Sequence, residues 1–164
     1  NCVSGNINRN RPTFILMLRT EIQQLLLSAL TEKRAYFQTL IDGIVNEMSD
    51  NAKSSAGDKH ETSTSMAQNE QEKIGQQIFE LEKQIELVKR IPVDNQLKTI
   101  GLGSVIKTTE NTFYLSIGFG KIMCDNEPVL CISPNAPLGQ LFLGKVVNDE
   151  VVFNQQVHKI TAII

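Results

Sequence analysis

The chain has 164 residues, 41% of them hydrophobic and 5% aromatic, with 18 acidic against 16 basic side chains and a formal net charge of −2. A charge so near balance, with no run of five or more like charges, argues against strong binding of free nucleic acid through its phosphates. No apolar stretch reaches the ~18 residues of a membrane-spanning helix, and the length suits one domain or two small ones.

Residues 1–16 match no helical template, and the apolar pattern begins at Leu18, directly after Met17. Residues 1–16 are therefore expected to be a non-native or disordered leader, with Met17 as the natural start. They do not read as a signal peptide, because the apolar run at residues 14–18 is too short and no small-residue cleavage site follows. From residue 18 to about 51, Ile22, Leu26, Leu30, Phe37, Ile41, Ile44 and Met48 recur at steps of three, four or seven, which is one apolar helical stripe. Further on, Ile74, Ile78, Leu81, Ile85 and Val88 alternate steps of four and three between Glu and Lys residues, the seam of a coiled coil. Neither segment contains proline, so each can run for about thirty residues, roughly 45–50 Å. Two such helices joined by a polar turn fold back as an antiparallel hairpin. Residues 17–92 are assigned to it.

The connection at residues 49–65 is rich in Ser, Thr, Asp and Asn, with Gly57 free to take a positive φ. It contains Gly57-Asp58-Lys59-His60-Glu61. Asp58 and Glu61, three apart, would share one side of a helical turn and could approach a common hard cation. The same Asp-x-x-Glu spacing also serves as a capping box at a helix start. Lys59 and His60 read as solvated turn residues or as phosphate contacts, and Lys33, Arg34, Lys53 and Lys73 as solvated helix faces.

Pro92 ends the second helix at Arg90 or Ile91, and residues 93–103 form a linker. Six short β-rich runs follow, at residues 104–108, 112–117, 121–124, 129–133, 150–153 and 157–164, punctuated by Asn, Gly and Pro as in an antiparallel sheet. Pro137 and Gly144 bracket one short helix at residues 138–143. The fold class is α+β: an antiparallel coiled-coil hairpin, then a small antiparallel sheet domain over residues 104–164. Cys124 and Cys131 read as buried core residues, since no CxxC or Cys/His ligand spacing occurs. His158 reads as structural, and the Gly101-Leu102-Gly103 and Gly118-Phe119-Gly120 runs lack the Lys-Ser/Thr of a phosphate loop.

Two stretches together resemble the Gre transcript cleavage factors of bacterial RNA polymerase. Gly57, Asp58 and Glu61 match the family's Gly-Asp-x-x-Glu tip, and residues 132–151, Ile-Ser-Pro-Asn-Ala-Pro-Leu-Gly through Leu-Gly-Lys-Val-Val-Asn-Asp-Glu-Val, are similar to its C-terminal signature. The match spans everything after Leu18. One departure is clear: Glu61 is followed by Thr62-Ser63-Thr64-Ser65-Met66, where the family continues Glu-Asn-Ala-Glu-Tyr.

The resemblance implies an FKBP-like C-terminal domain and a cytoplasmic monomer that binds RNA polymerase and enters its secondary channel. There Asp58 and Glu61 would be the catalytic carboxylates, holding a Mg2+ shared with the polymerase, so that the polymerase cleaves the nascent RNA 3′ end after backtracking. No cofactor would be tightly bound, and the chain would not itself be an enzyme. Ser133, Pro134, Asn135, Pro137 and Leu138 would dock on the polymerase. The FKBP-like expectation does not extend to prolyl isomerisation, for which the domain has too few aromatics. The alternatives are a channel-binding regulator that does not cleave, favoured by the altered residues after Glu61, and an unrelated coiled-coil interaction module.

Overall fold

The computed structural model describes residues 12–54, 58–95 and 97–164, with side chains from Leu18 and, past the junction between the helices, from Glu61. Two long helices, α1 (Pro12–Lys53) and α2 (Asp58–Lys89), precede β1 (Val105–Thr108), β2 (Thr112–Leu115), β3 (Gly120–Cys124) and β4 (Glu127–Ile132). A short helix α3 (Pro137–Phe142) and the strands β5 (Glu150–Phe153) and β6 (Gln156–Ile163) complete an α+β fold. Among the described residues no helix is long and apolar enough to cross a membrane.

Helix α1 starts at Pro12, ahead of the start expected at Met17 or Leu18. Proline fits the first helical position because its missing N–H is one that finds no intrahelical partner anyway. The expected leader thus overlaps helix at residues 12–16, and residues 1–11 lie outside the described residues. The polar connection is also shorter than the span 49–65, since α1 continues to Lys53 and α2 begins at Asp58, and the Ser, Thr and Asn residues in those parts do not by themselves stop a helix. Gly57 lies outside the described residues.

The chain divides into two compact units, residues 27–86 and residues up to 26 together with 87–164. These units cross the expected boundaries of hairpin, linker and globule. In the unit of residues 27–86, Thr64, Ala67, Gln71, Ile74, Ile78, Leu81 and Ile85 of α2 are less exposed and recur at alternating steps of three and four, with Gly75 and Gln84 beside that stripe also less exposed. The less exposed residues of α1 in this unit are Leu27, Ala29, Leu30, Phe37, Ile41, Ile44 and Met48. Leu30 is fully buried, Leu81 nearly so, and the stripe turns polar and small toward Thr64. Apolar burial at ~25 cal/mol per Å² therefore holds the Leu30 and Leu81 end more firmly than the end nearest the junction. Arg34 pairs with Glu82 at 3.5 Å, both side chains half-exposed.

The other unit is built on a six-stranded sheet of order β3-β4-β2-β1-β6-β5. It is mixed, which corrects the expected antiparallel sheet: β2 runs parallel to β4, with Thr112 opposite Val129 and Leu115 opposite Ile132. After β2 the chain passes outward to β3 at the edge. A two-residue turn at Asp125 (φ 49°) and Asn126 (φ 63°) then returns it as β4 between β3 and β2. Asn154 (φ 49°) and Gln155 (φ 65°) make the equivalent left-handed turn between β5 and β6.

Alternation along the strands gives the sheet two apolar faces. Ile106, Phe113, Leu115, Val151 and Ile160 pack with Ile100 and Phe142 in one cluster, which α3 joins through Phe142. On the other face Val105, Cys124 and Val129 line a cavity together with Leu18 and Ile22 of α1.

The same part of α1 carries Arg19, which is 1% exposed. Its guanidinium donates from Nε to the Gly103 carbonyl at 3.1 Å, from Nη1 to the Asn95 carbonyl at 2.6 Å, and from Nη2 to the Pro92 carbonyl and Asn95 Oδ1, both at 2.8 Å. Gln23 donates to the Val88 and Ile91 carbonyls at 2.7 and 2.9 Å, adding to the Ile91 N–H that the Val88 carbonyl already accepts at 3.1 Å just past the end of α2. The segment after α2 is thus tied to α1 residue by residue, although its sequence reads as a linker.

Candidate functional site

Asp58 opens α2 and Glu61 follows one turn later, so the backbone puts the two acidic residues on one side of the first turn. The helix N-terminus favours negative charge there. Glu61 is exposed; the side chains of Asp58, Lys59 and His60 lie outside the described residues. Two carboxylates supply too few oxygens to hold a hard cation alone, so any ion they share needs donors from a partner.

The loop from β4 into α3 is braced locally. Ser133 Oγ accepts the Asn135 N–H at 3.2 Å, and the Ser133 carbonyl accepts the Ala136 N–H at 3.0 Å. Asn135 and Pro137 are exposed, Ser133 and Pro134 half-buried, and Leu138 packs against the cluster around Phe113 and Phe142. Of the five residues expected to dock, Asn135 and Pro137 are the most accessible and Leu138 faces the core. Gly139 explains the close fit: a Cβ there would run into the Ser133 carbonyl. Beyond it, Leu141, Leu143, Val146 and Val147 are exposed large apolar residues, as are Val152 and Val157, which face each other across β5 and β6. The expected docking set omits these six, because the β-rich pattern gives no sign of which apolar positions stay uncovered.

Three buried groups carry unusual chemistry. Tyr114 is fully buried, and its hydroxyl has no hydrogen-bond partner among the described residues. Burial pushes it up to about 12, with Arg19 opposing the shift. Cys131, free and buried, is also pushed up to about 12 by burial, against a hydrogen bond with Ser116. His158 is buried and sits edge-on to Phe113 at 5.6 Å between centroids, with Nδ1 unpartnered among the described residues.

Tyr114 and Cys131 keep their protons in the folded chain above the pH at which the unfolded chain releases them. The stability they confer is complete below pH ~9 and falls by about 1.4 kcal/mol per pH unit per group as pH rises toward ~12. Tyr114→Phe is therefore expected to be neutral or stabilising at pH 7, since it removes an unsatisfied hydroxyl. It should also flatten the alkaline loss above pH 10. Urea titrations across pH 7–11 measure both effects, and a loss above 1 kcal/mol at pH 7 would contradict the account.

No known family model matches the chain, and no curated protein matches it.

Proposed function

We propose that this chain is a Gre-like factor that binds bacterial RNA polymerase through its secondary channel and stimulates hydrolysis of backtracked RNA. On this reading α1 and α2 form an antiparallel coiled-coil hairpin with Asp58 and Glu61 at its tip, and the sheet domain is FKBP-like. The observation that carries the proposal is the acidic pair in the first turn of α2, directly after the junction that ends α1. A capping pair is useful at any helix start. An acidic pair at the start of α2, beside the junction with α1, is what a probe requires.

Mg2+ held jointly with the polymerase's own carboxylates and RNA phosphate would supply an activated water and charge neutralisation. Asp58 and Glu61 contribute oxygen donors and orient that water. The exposed Asn135 and Pro137 and the exposed apolar Leu141, Leu143, Val146 and Val147 suit a docking surface on a protein partner.

The test is RNA cleavage in stalled, backtracked elongation complexes. The native chain should release short 3′ fragments, and the Asp58→Ala, Glu61→Ala double variant should do so roughly 100-fold more slowly or not at all. Binding to polymerase without fragments from either protein would overturn the cleavage reading. It would favour a non-cleaving channel regulator, to which the Thr62-Ser63-Thr64-Ser65-Met66 departure already points.

A further inference from the structure

A second cluster of donors lies in the sheet-containing unit. Glu21 on α1, Cys124 at the end of β3 and Asp125 in the following turn bring their ligand atoms within 4.8 Å of one another. Both carboxylates are exposed, whereas Cys124 is only 5% exposed. Its thiol is free and takes no hydrogen-bond partner among the described residues, yet its sulfur reaches the carboxylate pair. A cavity of about 200 Å³, lined by Leu18, Ile22, Lys107, Thr112, Cys124 and Asp125 among others, opens alongside and gives room for water.

We propose that Glu21, Cys124 and Asp125 form a site for one thiophilic divalent cation of the zinc class, with water from the cavity completing its shell. The donor set makes the selection. Thiolate sulfur favours zinc and cadmium over magnesium and calcium, while two carboxylates add charge without excluding them. A tetrahedral ion with metal–sulfur bonds of ~2.3 Å and metal–oxygen bonds of ~2.0 Å holds such donors about 3.5 Å apart. From within 4.8 Å, the exposed Glu21 and Asp125 close that gap by rotamer change alone.

On binding, Cys124 gives up its proton to solvent and sulfur bonds the metal. Burial, and after it Glu21, Asp125 and Glu127, hold the empty thiol's pKa up, against Lys107. The cation competes with the proton for the sulfur, so affinity increases with pH. The bound ion would fasten α1 to the β3–β4 turn within this one unit. The proposal is independent of the polymerase reading.

Cadmium titrated into the full chain is the direct probe, because a cadmium–thiolate bond produces an ultraviolet charge-transfer band. A saturable band at one ion per chain is expected, displaced by zinc but not by millimolar magnesium. Cys124→Ser should abolish the band, Glu21→Gln and Asp125→Asn should each weaken binding about tenfold or more, and Cys131→Ser should leave it intact. No saturable band, or a band that survives Cys124→Ser, overturns the site. Should Cys124→Ser fail to fold, Glu21→Gln decides: unchanged affinity in that surface variant also overturns it.

Discussion

Arg19→Met is expected to cost about 3 kcal/mol, seen as a lower urea midpoint with an unchanged slope. Methionine replaces most of the side-chain volume, so the loss reports hydrogen bonds and not a cavity. The buried Gly103 carbonyl loses its Nε donor outright, and the part-buried Pro92 and Asn95 carbonyls must find water. Arg19→Lys should recover little, because one ammonium cannot reach three carbonyls approached from different directions. Arg34→Met supplies the control. It removes a half-exposed partner of Glu82 and should change stability by less than ~1 kcal/mol. Equal losses in the Arg19 and Arg34 variants would show that the segment at 92–103 is not held by the guanidinium.

Gly139→Ala should destabilise by about 2–3 kcal/mol, against the helix preference for alanine. The added Cβ overlaps the Ser133 carbonyl and presses on Pro134, both backbone sites that cannot rotate away, so α3 must shift and Phe142 with it. The same change at Gly43 or Gly75 meets nothing within 4 Å and should stabilise by roughly 0.5–1 kcal/mol. Opposite signs in chemical denaturation test whether packing or intrinsic propensity governs each glycine. A neutral Gly139→Ala would mean that the loop from β4 into α3 yields more easily than its hydrogen bonds indicate.

The elements themselves were legible in the sequence. Heptad steps from Ile74 to Val88 mark α2, β-branched runs mark all six strands, and Pro137 with Gly144 brackets α3 to within a residue. Local chemistry suffices for these, because apolar periodicity and the φ restriction of proline act within a few residues of the chain. The acidic pair Asp58 and Glu61 was legible for the same reason: spacing along one helical turn is a local property.

What sequence periodicity could not decide was pairing. The punctuation around residues 112–117 leads to the antiparallel expectation, but nothing in that run itself fixes the direction of its neighbours. Only the outward passage to β3 and the left-handed turn at Asp125 and Asn126 set β4 parallel to β2. Residues 93–103 read as a linker, and nothing along the chain marks Arg19, until folding brings carbonyls more than seventy positions away onto its guanidinium. Glu21, Cys124 and Asp125 likewise carry no spacing signal. The sequence alone determined which segments are helix and strand and where two acidic residues share a turn, since those depend on neighbours along the chain. Strand direction, the burial of Arg19 and the convergence of a thiol with two carboxylates were decided by tertiary structure, because they depend on which distant segments share one core.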